Sequence, residues 1–323
     1  MRWRGSIGRW RMADASALLA LALDAAIGWP EPVYRRIGHP VAWLGSVIDR
    51  AERQWNAATR PDRARRMGGI ATMLILLLVA GGSGLILQRL LAEALGNWSW
   101  LGIALLAAPG LAQRSLYDHV HAVETALRGG RIIAARRAVG MLVGRDTDAL
   151  GEADIARAAI ESLAESFCDG VVAPLFWLLL LGLPGLWAYK AINTADSMIG
   201  HMEPRWRAFG WAAARTDDLA NLVPARLAGA ILCLSGGGWR TMWRDAALHA
   251  SPNSGWPEAA MAGGLGLKLA GPVAYDGVVH DKPWIGEGVR AAGANDIRRA
   301  LHVFIRGCLC LWAVAAVGVL PWR

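Results

Sequence analysis

Side chains able to do chemistry gather at a few places in this sequence, each against an apolar run. The stretch "KAINTADSMIGH" (190–201) directly follows "VVAPLFWLLLLGLPGLWAY". On a helix Lys190, Asn193 and Ser197 fall on one stripe with Asp196 beside them, and ionisable groups at membrane depth are costly and mark function. An interfacial anchor explains Lys190 but not Asn193 together with Asp196. In "EADIARAAIESLAESFCDG" (152–170), Glu161 and Glu165 stand one turn apart, and Asp169 continues their line past the expected helix end. Carboxylates sharing a face suit a magnesium–phosphate site or an ammonium substrate; a solvated helix face beside Arg157 is the plain alternative for the two glutamates. "RTDDLANLVPAR" (215–226) carries Arg215, Asp217, Asp218, Asn221 and Arg226, of which helix capping explains one. "SPNSGWPE" (251–258) holds Asn253, Ser254 and Glu258 in a turn between two prolines, and alone would be only a turn. His39, in "IGHP", reads as structural when taken alone.

The elements that must position these residues are set by hydropathy. Of 323 residues 54% are hydrophobic, and they cluster in runs at 68–87, 98–112, 171–189 and 303–322. A bilayer span needs roughly 20 mostly apolar residues, a length that the first and last runs meet. The expected fold is an all-α, polytopic integral membrane protein with re-entrant or broken helices, organised as one membrane-embedded domain over 1–323. Within it, 113–168 reads as a cytoplasmic helical segment divided at Gly129–Gly130 and Gly144, and 240–302 as a cytoplasmic loop region. "QRLLAEALGN" (88–97) reads as a short outside turn, and Pro109 breaks the run at 98–112. In "GLPG" (182–185), proline removes a backbone donor and breaks the helix, so 171–189 reads as a re-entrant hairpin and Leu222–Trp239 as a doubtful span. Three to six membrane-embedded segments result.

The N-terminal 30 residues resemble a signal peptide, but Asp14 and Asp24 interrupt the apolar part and no small-residue cleavage site follows, so they are expected to remain. The net charge of +8 fits the positive-inside bias of cytoplasmic loops and, without basic runs interleaved with aromatics, no nucleic-acid partner. The four cysteines match no zinc spacing and read as buried filler. There is no Walker-type phosphate loop, dinucleotide fingerprint, H-E-x-x-H or nucleophile elbow, so a nucleotide bound here is held in another way.

Taken together, "GHPVAWLG", "VGRDTDAL", "AAIESLAESFCDGVVAPLFW", "KAINTADSMIGH", "ARTDDLANLVPARL" and "SPNSGWPEAAMAGGLGLKLAGPVAY" resemble the cobinamide (adenosylcobinamide-phosphate) synthase family of cobalamin biosynthesis, in the family's order from about Asp24 to Tyr275. One departure is Ser166, where the family usually has asparagine after the glutamate; it loses the amide. The resemblance implies a bacterial inner-membrane, multi-pass ligase with its active site facing the cytoplasm. It would join aminopropanol, or its O-phosphate, to a propionate carboxylate of the corrinoid adenosylcobyric acid, using ATP and Mg2+ through an acyl phosphate. The partners implied are the corrinoid, the amine, the lipid bilayer and other enzymes of the pathway.

On this resemblance Glu161, Glu165, Asp169, Asp217 and Asp218 are candidates for magnesium or the substrate ammonium, with Glu161, Glu165 and Asp217 as the metal set. Lys190, Arg215 and Arg226 would clamp phosphate. Asn193, Asp196, Ser197, Asn253 and Glu258 would orient corrinoid amides or deprotonate the amine, and Asn221 and His39 would contact substrate. Asp196, Asp218, Asp169, Lys190 and Glu258 form the catalytic set. The rival readings are a corrinoid transporter, whose sites also use broken helices, and a membrane scaffold for pathway enzymes.

Overall fold

The computed structural model describes residues 4–144, 146–275, 278–288 and 291–319; Arg145, inside the "VGRDTDAL" motif, lies outside them. The chain is an all-α polytopic membrane protein. In order come α1 (Arg4–Ile27), α2 (Glu31–Ile37), α3 (Pro40–Trp55), α4 (Asp62–Leu95) and α5 (Ser99–Ala107), then α6 (Gln113–Arg128), α7 (Ile132–Gly140) and α8 (Glu152–Phe167). A π-helical turn, Cys168–Val172, leads to α9 (Ala173–Leu181), α10 (Leu183–Ile199) and α11 (Trp211–Ala220). The last helices are α12 (Leu222–Gly236), α13 (Trp239–Asp245), α14 (Gly255–Leu265) and α15 (Ala294–Val319). Between α14 and α15 lie four short strands, β1 (Leu269–Ala270), β2 (Val273–Tyr275), β3 (Val278–His280) and β4 (Trp284–Ile285), paired antiparallel as β1–β4 and β2–β3.

Among the described residues three stretches are long and apolar enough to cross a membrane, Asp62–Arg128, Glu152–Leu181 and Ala294–Val319. The pair α11–α12, bent by 52°, makes a fourth if it counts as one span. Two expected boundaries move. Residues 88–95 of the expected outside turn are instead the last turns of α4, because nothing before Gly96 (φ +52°) stops the helix. The charge boundary at 168 is no break either: the π turn absorbs one extra residue and the helix runs on into α9. Segment 240–302, expected as loop, holds α13, α14, the strands and the start of α15; its helix signal is weak because α14 is mostly small residues.

The chain divides into two compact units, the first from Met1–Ala112, Ala173–Asn221 and Trp312–Arg323, the second from Gln113–Val172 and Leu222–Leu311. In the first, α10 lies antiparallel along α4. A Cβ at Gly84 would strike the backbone of Leu183 and Pro184 at 2.9 Å, and one at Gly81 would touch Ala188, so small residues set this close approach. The break in "GLPG" falls at Gly182 (φ +72°), and Gln88 Oε1 accepts the Leu183 N–H at 2.8 Å. The α9–α10 hairpin therefore reaches the far end of α4's apolar run. At the other end, buried Arg65 donates to Asn56 Oδ1 at 2.7 Å and to the Arg205 carbonyl.

In the second unit α8 is the central helix, with Ile155, Ala156, Ala159, Ile160, Leu163 and Phe167 fully buried. Phe167 packs edge-on to Phe304 of α15 at 5.7 Å. Buried Asp245 receives Arg244 through both oxygens, at 2.6 and 2.7 Å, and the Gly286 N–H at 2.9 Å, which pins the strand segment to α13. Among the described residues the cysteines form no disulfide.

Candidate functional site

In the first unit the two polar motifs of α10 and α11 face each other as a ladder. Tyr189 Oη donates to Asn221 Oδ1 at 3.0 Å, and Asn221 Nδ2 donates to Asp217 Oδ2 at 3.0 Å. Asn193, Asp196 and Asp218 lie within electrostatic reach of the Asp217 carboxylate. Asn221 is 2% exposed, so its amide carries hydrogen bonds that water cannot replace. At the rim, Arg215 pairs with Asp218 at 3.3 Å. Ser197 is exposed and bonds its own helix at the Asn193 carbonyl. Lys190 is half-buried and near enough to His39 to disfavour a second positive charge there. His39 caps α3, accepting the Val41 N–H at 3.2 Å, and meets Trp29 edge-on at 5.1 Å; burial first, then Lys190, pulls its imidazole below the usual range.

The second unit holds an open cavity of about 210 Å3 lined by Glu161, Ser162, Glu165, His249, Glu258 and Lys282, among others. Its walls come from separate places in the chain. Glu161 accepts the Ala270 N–H at 2.8 Å, and Glu165 accepts the Ser254 hydroxyl at 2.8 Å. Ala270 is held at φ +56°, a left-handed conformation uncommon outside glycine and often kept at functional sites. Glu258 is 5% exposed and sits 3.5 Å from His249 Nε2. His249 Nδ1 accepts the Ser251 N–H at 3.0 Å, which leaves Nε2 to carry the proton toward Glu258 in the neutral ring. Burial, the largest cause, pulls the His249 imidazole below its usual range; the Glu165 carboxylate and the bond to Ser251 oppose this, and Lys282 assists it. Beside the cavity Arg226 donates to Asn253 Oδ1 at 2.8 Å and stacks 4.9 Å over Trp256.

A scan against protein-family models matches residues 17–304 to the CobD/Cbib protein family. The chain belongs to that family. Curated relatives include proteins named "Cobalamin biosynthesis protein CobD": one from Rhodobacter capsulatus, 44% identical over 95% of this chain and 98% of its own length. Another, from a Sinorhizobium species, is 48% identical over 90% and 93%, and one from Brucella suis is 47% identical over 88% and 90%. No solved structure matches the chain.

In this CobD/Cbib protein the residues singled out in the sequence thus fall into two groups. Asp196, Asp217, Asp218, Asn193, Asn221, Lys190, Arg215, Ser197 and His39 belong to the first unit, and Glu161, Glu165, Asp169, Arg226, Asn253 and Glu258 to the second. Asp169 sits on the π turn and is not among the described residues that line the cavity. Among the described residues no three or more of His, Cys, Asp and Glu gather as a metal cage. Of the expected metal set, Glu161 and Glu165 line one cavity of the second unit and Asp217 belongs to the first unit. Tyr189, His249 and Lys282 stood out from no motif, although Tyr189 adjoins Lys190 and His249 lies two residues before "SPNSGWPE". A larger, apolar cavity of about 590 Å3 in the first unit is bounded by Trp29, Trp43, Val79 and Leu105, with no ionisable side chain among the described residues that line it.

Proposed function

We propose that this protein acts in cobalamin biosynthesis as an amide-forming ligase. It joins aminopropanol, or its O-phosphate, to a propionate carboxylate of adenosylcobyric acid, at the cytoplasmic face of a bacterial inner membrane. Family membership supports the pathway, and the arginines at the start of α4 (Arg63, Arg65, Arg66) support the orientation. The observation that carries the chemistry is the acid-lined cavity of the second unit. At about 210 Å3 it lies below the range of roughly 300–1,000 Å3 usual for drug-sized ligands. It suits a small amine and is too small for a corrinoid.

In this reading Glu258 receives the ammonium and takes its proton, and His249 orients Glu258. Lys282 supplies a cation at the wall of the same cavity. A propionate oxygen attacks the γ-phosphorus of ATP and ADP leaves. The amine then attacks the acyl carbon, phosphate leaves, and an amide remains. Glu161 and Glu165 would hold Mg2+, which when bound neutralises charge on the phosphoryl group. The Tyr189–Asn221–Asp217 ladder with Asn193 and Asp196 suits the amide-bearing rim of the corrinoid, since side-chain amides and carboxylates pair with amides.

The test uses purified protein in detergent with adenosylcobyric acid, aminopropanol phosphate and Mg-ATP, products being followed by mass spectrometry. The expected product gains the mass of the amine less water and forms only with ATP. Corrinoid binding without any such product overturns the reading.

A further inference from the structure

Next to the acid-lined cavity, in the same unit, lies a second cavity of opposite character. It encloses about 370 Å3 and is lined by Arg157, Lys268, Trp284 and Gly288, with Ala153, Ala291 and Ala292 completing the wall. The β1–β4 pair separates the two: Ala270, on the acid-lined side, stands opposite Trp284, on the other.

Arg157 is an organised cation. Its guanidinium lies 5.0 Å over the Trp284 ring, Nη2 is 3.0 Å from Asp154, and Nε is 3.5 Å from Glu161. Nε is buried and makes no hydrogen bond, and the side chain is 16% exposed. Gly271 packs against the Trp284 ring, where a Cβ would meet three ring atoms at 2.7 Å. The ring therefore serves as a fixed shelf for the guanidinium. Lys268 is exposed at the mouth and adds a mobile second charge. A stacked arginine fork with a neighbouring lysine is the chemistry that recognises phosphate oxygens. No carboxylate lines this cavity among the described residues, so the strand pair parts an anion-attracting pocket from a cation-attracting one.

We propose that the Arg157–Lys268–Trp284 cavity binds the phosphate group of a small substrate, either the polyphosphate of a nucleoside triphosphate or the phosphate of a phosphorylated amine. The inference deepens the ligase reading and rests on it for the choice of those two sources. Glu161 belongs to both neighbourhoods, ion-paired to Arg157 and lining the acid pocket, so a phosphate drawing on Arg157 also bears on the carboxylate next to the amine.

The test is calorimetric titration of the full-length protein in detergent with ATP, with inorganic triphosphate and with aminopropanol phosphate, in wild type, Lys268→Gln and Trp284→Leu. Lys268 is exposed, so Lys268→Gln should fold as wild type, and thermal melts check both variants. At least one ligand should bind about tenfold more weakly in both variants, equivalent to about 1.4 kcal/mol, and more weakly in all proteins as salt rises. Loss confined to ATP and triphosphate identifies the nucleotide, and loss confined to aminopropanol phosphate identifies the amine. Wild-type affinity for all three ligands in folded Lys268→Gln and Trp284→Leu overturns the proposal. If wild type then still makes the amide, the ligase reading stands without this site. Phosphate binding that depends on Lys268, with no amide formed, has the opposite meaning.

Discussion

The polar ladder of the first unit and the acid-lined cavity of the second are built from similar residue types, yet they are different objects. In the ladder Tyr189 of α10 meets Asn221 at the end of α11, Asn221 meets Asp217 one turn back on α11 itself, and the central amide is 2% exposed. In the cavity, side chains from α8, from the turn before α14 and from the strand segment converge on open space, with Glu165 meeting Ser254 and Glu161 meeting Ala270. The first arrangement pairs Tyr189 Oη, the Asn221 amide and Asp217 Oδ2 with one another inside packed helices. The second keeps a room that a ligand can enter. Polar residues thus serve two ends here, and geometry rather than composition tells them apart.

The comparison breaks most visibly through Glu161. Glu161→Gln can still accept the Ala270 N–H but loses the charge that magnesium or an ammonium needs. Turnover in the corrinoid assay should fall about 100-fold with the thermal midpoint unchanged. An unaltered rate would remove Glu161 from the chemistry.

Asn221→Leu should behave in the opposite sense. It orphans Tyr189 Oη and Asp217 Oδ2, at a cost of about 1–3 kcal/mol. The detergent-solubilised protein should melt at lower temperature, while its affinity for the amine stays as in wild type.

A subtler contrast is pH. His249 has its pKa lowered from 6.5, chiefly by burial, so the unfolded chain binds its proton more readily than the folded one. This contribution to stability is present above about pH 6.5 and is lost as pH falls from there through the lower folded value. Melts at stepped pH should show that decline, and His249→Gln should make it shallower. His39 shifts in the same direction, so the slope should not vanish. The smallest effect is expected at Arg215. Its pair with Asp218 is 67% exposed on the arginine side, and such pairs contribute about 0–1 kcal/mol. Arg215→Ala should change turnover and melting little, and a large loss would give Arg215 a contact with substrate.

What the sequence made legible follows the same division. Apolar runs of membrane length, the break in "GLPG" and the helical stripe Lys190–Asn193–Ser197 are local, and each stands where periodicity puts it. Even the ladder joins the visible motif "RTDDLANLVPAR" to Tyr189, the residue just before "KAINTADSMIGH". The cavity was only half legible. The Glu161–Glu165 spacing marks one wall, but Ser254 lies 89 residues from Glu165 and Ala270 lies 109 from Glu161, separations that no period encodes. Lys282 and His249 acquire meaning only once those walls meet. The π turn that carries Asp169 was not legible, since an inserted residue leaves no composition signal.

The most direct measurement of the central claim, that the acid-lined cavity receives the amine, is calorimetric binding of unphosphorylated aminopropanol to wild type and Glu258→Gln, with Asn221→Leu as the control from the other region. Binding weakened at least tenfold in Glu258→Gln and retained in Asn221→Leu is the predicted result. Equal affinity in wild type and a folded Glu258→Gln would contradict it and move the amine out of this cavity.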